Sequence, residues 1–169
     1  MRMNPADQFE SSVFSTNRGW SPEAEIVSRL LEEALDHLSN TGTERQRLQN
    51  AVDALDEVYQ ECCEPNWDGY GAEAISEEAY QEAFKLLTLL PSSTPLPEIV
   101  PEPRGAIGLE WSTGKRFIFV ASVRGENFIT YAGIFAVNKT HGREYFSDAI
   151  PPIIADNIRR VYSYIPRTA

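Results

Sequence analysis

The sequence predicts an α+β fold: an acidic αα-hairpin at the N-terminus, then a small antiparallel β-meander sheet covered by two helices. Three features carry that expectation. Apolar residues recur at helical spacing through Leu90, they alternate from Ala106 onward, and between the two regimes residues 91–103 hold five prolines in thirteen positions. Such a proline density removes backbone donors and favours an extended strap.

The elements follow in order. Residues 1–20 are polar and are expected to form a flexible N-terminus. Ser21-Pro22-Glu23 is a helix start, with a capping oxygen, a proline where no N–H partner is needed and a carboxylate at the positive end of the dipole. Val27, Leu31, Ala34 and Leu38 supply an apolar stripe until Asn40-Thr41-Gly42, which predicts a turn. Thr43 then caps a second helix in which Leu48, Val52, Leu55, Tyr59 and Cys62 step by four, three, four and three. Residues 21–64 are therefore expected to form an antiparallel hairpin. Pro65 ends it, and the body, 65–169, begins with Asn66-Trp67-Asp68-Gly69-Tyr70-Gly71, read as an ordered structural turn. Ser76 caps a third helix that Pro91 closes, and the strap carries a short edge strand at Glu98–Val100. Strands are expected around 107–111, 116–123 and 128–137, with a turn at Asn138–Gly142, a short strand at 144–146 and a last helix opened by Pro151.

Composition narrows the function classes. A chain of 169 residues with 42% hydrophobic and 11% aromatic content can bury a core, which excludes disordered and collagen-like classes. The net charge of −10 disfavours phosphate-backbone binding by the surface as a whole. That charge is uneven: residues 1–64 hold 13 acids and 5 bases, 65–103 hold 7 acids and one base, and 104–169 hold 5 acids and 9 bases. Cys62 and Cys63 are vicinal and staple nothing distant, which fits a reducing, cytoplasmic setting. Met1–Gly19 lacks the apolar core of a secretory leader, and runs such as Leu86–Leu90 fall far short of the roughly 18 residues a membrane helix needs.

Chemistry-bearing residues are few. Asp68, flanked by two glycines and two aromatics, could act as a general base, and with His141 and Glu144 it would make a small hydrolase or transferase site if the turns converge. His37 falls near the end of the first helix, where its charge suits the dipole. No G-x-S-x-G elbow, phosphate-binding P-loop or H-E-x-x-H occurs, vicinal cysteines do not match zinc-ligand spacing, and neither a metal nor a cofactor is expected. Acidic Glu61 and Glu64 flank Cys63 and suppress its thiolate. The basic C-terminal region, with Lys115, Arg116, Arg124, Lys139, Arg143, Arg159 and Arg160 among Phe117, Phe119, Phe128 and Tyr131, could bind RNA or single-stranded DNA.

The stretch Asn66–Ala72, then Leu89-Leu90-Pro91, the strap, Leu109-Glu110-Trp111, Tyr131-Ala132-Gly133 and His141-Gly142 together resemble a group of small uncharacterised bacterial proteins. The resemblance covers a little over half the chain and implies a turn, helix, strap and sheet unit of bacterial or mobile-element origin. It implies an association with toxin–antitoxin or phage-defence modules, and it brings no activity, cofactor or catalytic residue. The residues themselves point to a non-enzymatic protein that meets a basic partner. Leu31, Leu38, Leu48, Leu55 and Tyr59 would supply affinity, and Glu32, Glu33, Asp53 and Asp56 would supply charge. The same hairpin seam could hold two copies together, and the exposed sheet edge would add to the contact.

Overall fold

The computed structural model describes residues 22–163 and, within the first helix, the side chains of Arg29 and of Thr41 onward. The fold is α+β, with helices α1 (Pro22–Cys62), α2 (Glu77–Leu89) and α3 (Pro152–Ser163). Strands β1 (Glu98–Glu102), β2 (Ala106–Ser112), β3 (Phe117–Val123), β4 (Phe128–Phe135) and β5 (Asn138–Tyr145) form one antiparallel sheet in the order β1-β2-β3-β4-β5.

The expected hairpin at 21–64 is corrected: Asn40, Thr41 and Gly42 are helical, and α1 runs through them without a break. A glycine inside a helix costs only about 1 kcal/mol relative to alanine, and Asn and Thr cost less. Flanks rich in Leu, Glu, Arg and Gln carry that cost. The chain divides into compact units at Asn40/Thr41, so the second half of α1 belongs with the sheet.

Alternation builds the inner face of the sheet. Ile107, Leu109 and Trp111 of β2 pair with Val123, Ala121 and Phe119 of β3, which pair in turn with Ile129, Tyr131 and Gly133 of β4. These side chains join one core with Ala79, Ala83, Leu86 and Leu87 of α2, Ile154, Ile158 and Val161 of α3, and Ala51, Leu55 and Cys62 of α1. Leu55 is fully buried there. Trp111 Nε1 donates to Pro95 O at 2.7 Å, which ties the strap across the core.

α2 starts as its sequence dictates: Ser76 Oγ accepts from Ala79 N–H at 3.1 Å, and Glu77 and Glu78 lie in the first turn. Glu82, one turn on, is buried, and its Oε2 accepts from Gly125 N–H at 2.6 Å, fastening the helix to the β3–β4 turn. Its Oε1 is buried with no hydrogen-bond partner.

Another correction concerns β5. The turn expected at Asn138–Gly142 lies instead at Ala136–Val137, with Ala136 at φ +59°, and β5 continues from Asn138 to Tyr145. Packing explains the register. Tyr131 lies opposite Gly142 and its ring passes over that glycine, where an added Cβ would sit 2.6 Å from Tyr131 Cζ. Gly142 is thus a seat for an inward tyrosine in mid-strand.

Candidate protein-binding surface

The sequence singled out the Asn66–Gly71 turn, and it closes on itself. Asn66 N–H donates to Ala72 O at 2.7 Å, and Asn66 Oδ1 accepts from Gly71 N–H at 2.8 Å. Asp68 Oδ1 accepts from Tyr70 N–H at 2.8 Å and Ala72 N–H at 3.1 Å, and these bonds hold its carboxyl below the usual aspartate range. Trp67 packs on the core and donates from Nε1 to Glu73 O at 3.0 Å. Gly69 and Gly71 sit at φ +76° and +94° with open space where a side chain would go, so they serve backbone geometry and make no room for a ligand. What the loop leaves over is Tyr70, whose side chain is 95% exposed at its tip.

The loop is anchored at the β1–β2 end of the sheet, where Glu73 N–H donates to Pro103 O at 2.8 Å. His141 and Glu144 lie on β5, the strand at the other edge, paired with Ala132 and Ile129. The register puts Glu144 with buried Ile129 on one face of β5 and His141 with exposed Ala132 on the other, and no hydrogen bond or ion pair among the described residues joins either to Asp68. Grooves border the strap, one of about 350 Å³ with Leu48, Leu87, Leu90 and Leu96 on its apolar side and Glu44, Arg45 and Arg47 on its polar side, and none of Asp68, His141 and Glu144 lines it. Among the described residues no three His, Cys, Asp or Glu side chains gather as a metal would require.

The partner residues expected on the hairpin divide. Leu31, Leu38, Glu32 and Glu33 have side chains outside the described residues, as does His37. Leu55 is a correction: it is buried in this chain's own core and is closed to a partner. Leu48 and Tyr59 pack at the edge of the same core, and the Tyr59 ring meets that of Tyr80 with centroids 4.9 Å apart. Asp56 accepts from Tyr80 Oη at 2.5 Å and is spent internally. Asp53 is exposed, and it heads a row of acids, Asp53, Glu57, Glu61 and Glu64, all exposed and spaced by four, four and three. Asp53, Glu57 and Glu61 occupy one stripe of α1, Glu64 follows just beyond its end, and no ion pair joins these acids to a base among the described residues. The spacing alone could have found it.

Comparison with protein-family models, curated proteins and solved structures gave no match.

On the strands, Phe119 and Tyr131 are buried and closed to a base, while Arg124 pairs with Glu73 and Arg143 with Glu126. Arg159 pairs with Asp156 on α3. Burial, then neighbouring Glu61, push the Cys62 thiol up, which makes it a core residue and not a nucleophile. No helix among the described residues is long and apolar enough to cross a membrane.

Proposed function

We propose that this chain is a non-enzymatic protein-binding module for a basic partner, and that it makes contact through the acid row of α1 and the adjoining Tyr70 loop. The observation that carries this reading is Tyr70: a large side chain held in water by a loop with its polar groups occupied internally. Tyrosine anchors supply much of the energy of protein interfaces, and a pre-ordered anchor loses little freedom on binding. The acid row supports the sign of the partner. Like charges at helical i,i+4 spacing each cost a few tenths of a kcal/mol in the free protein, and a basic surface relieves that repulsion while accelerating encounter. An acidic cytoplasmic protein of this build suits the neutralising half of a bacterial accessory pair, such as an antitoxin, an immunity protein or a counter-defence protein.

The test is co-purification from the native cell with three baits: the unchanged chain, Tyr70→Ala, and Glu57→Lys with Glu61→Lys. The expected result is one basic protein retained by the unchanged chain, released by salt, and bound at least about tenfold more weakly by each variant. A partner held equally by all three baits, or none held by the unchanged chain, overturns the reading.

A further inference from the structure

The helices that cover the sheet share one side of it, since the residues of α1, α2 and α3 that reach the core meet only the inward row of each strand. The opposite face is set by the register. Directly paired residues share a face, so Glu98, Glu110, Val120, Ala132 and His141 form one row across all five strands. Val100, Gly108, Ser122, Thr130 and Arg143 form the next, and no described helix packs on either.

This face is banded by charge. On β1 and β2 its charged residues are Glu98, Glu102 and Glu110, with no base. On β5 they are Lys139 and Arg143, with His141 between them and no acid, because Glu144 points to the inner face. Between them β3 and β4 present Ile118, Val120, Ser122, Thr130, Ala132 and Ile134, uncharged throughout, with Ile134 39% exposed. Four strand spacings of about 4.8 Å separate the acidic edge from the basic one, too far for the bands to neutralise each other within one chain. Two members have local partners: Glu102 Oε1 accepts from Ser122 Oγ at 2.5 Å, and Arg143 donates to Glu126 at 2.8 Å while lying over the Phe128 ring.

We propose that this face binds a second copy of the same chain, sheet against sheet, about a two-fold axis parallel to the strands and lying between the two facing β3 strands. Such an axis exchanges the two edges: β1 of one copy faces β5 of the other, and β3 faces β3. Glu98 then stands opposite His141 with Lys139 and Arg143 beside it, twice over, while Val120 and Ile118 meet their own counterparts. A two-fold axis across the strands would set acid on acid, so the charge bands choose the orientation. The face is about 19 Å wide and about 25 Å long, so each copy contributes roughly 500 Å², at the small end for stable association, and the dimer is expected to dissociate on dilution. The pairing leaves the Tyr70 loop and residues 41–62 of α1 on the outer sides, independent of the reading of those residues given above.

The experiment is sedimentation velocity of the full chain from micromolar to sub-millimolar concentration, with three exposed-site variants. The unchanged chain is expected to pass from monomer to dimer, and Ile134→Lys to remain monomeric. Glu98→Lys and Lys139→Glu alone are each expected to weaken the dimer about tenfold, because each places like charges together in both symmetric contacts. Mixed one to one, these two charge variants restore both attractions and are expected to form a heterodimer of at least the original strength. A chain that stays monomeric throughout, a dimer indifferent to Ile134→Lys, or a mixture no stronger than its components overturns the proposal, and none of these outcomes bears on Tyr70.

Discussion

The hydrogen bond between Tyr80 and Asp56 shows how a residue can belong to the core by chemistry and to the surface by name. The Tyr80 hydroxyl donates to a carboxylate, and that bond, with burial behind it, pushes the phenol up to about 12. Its folded value lies above its unfolded value of about 10, so the bond's contribution to stability is complete below pH 10 and is lost as pH rises toward 12. Absorbance titration at 295 nm should show one tyrosine ionising near 12, and Asp56→Asn should return that midpoint toward 10; an unchanged titration would place the cause elsewhere. In the sequence Asp56 and Asp53 are indistinguishable, both acids on a predicted helix. Only the position of Tyr80, 24 residues on, separates the one spent inside from the one left outside.

Among the elements, α1 and β5 depart from what local signals imply, and for the same physical reason. Asn40-Thr41-Gly42 is a good turn and a tolerable helix interior, and differences of about 1 kcal/mol are decided by what the flanks pack against. β5 reads Asn-Lys-Thr-His-Gly-Arg-Glu-Tyr, an edge strand with no inward apolar residue to betray its period, while the real turn at Ala136–Val137 contains no Gly, Asn or Pro. By contrast β2, β3 and β4 were legible: burial alternates along β3 and β4, and in β2 the large apolar residues Ile107, Leu109 and Trp111 fall at every second position. Gly42 gives a direct test of the continuous helix: an added methyl there meets nothing within 4 Å, so Gly42→Ala should raise helicity by circular dichroism and stabilise by up to about 1 kcal/mol. A loss of stability would restore the turn. The acid row makes a second prediction at this scale. Glu57→Lys converts two repulsive i,i+4 neighbours, Asp53 and Glu61, into attractive ones, and the melting temperature should rise by a few degrees at low salt while partner binding falls. A substitution that stabilises the protein and weakens its binding marks a surface shaped for another molecule.

For the whole molecule, the sequence sets the body at 65–169 with its sheet covered by two helices, and the structure places Ala51, Leu55 and Cys62 of α1 inside the same core. A fragment beginning at residue 65 should therefore lack near-ultraviolet dichroism and disperse its amide resonances poorly, while one beginning at Thr41 folds. Leu55→Ala in the full chain should cost about 3 kcal/mol in urea unfolding, the usual penalty for a leucine-sized hole. Equal folding of the two fragments would return α1 to the role of an appendage. The self-bonded loop from Asn66 to Ala72 has a kinetic counterpart. Once Asn66 and Asp68 have drawn the chain around themselves, the phenol at its tip waits in one place, so docking needs no search among loop shapes. Encounters should succeed or fail quickly, with the lifetime of the complex governed by how tightly the opposing cleft grips a single ring.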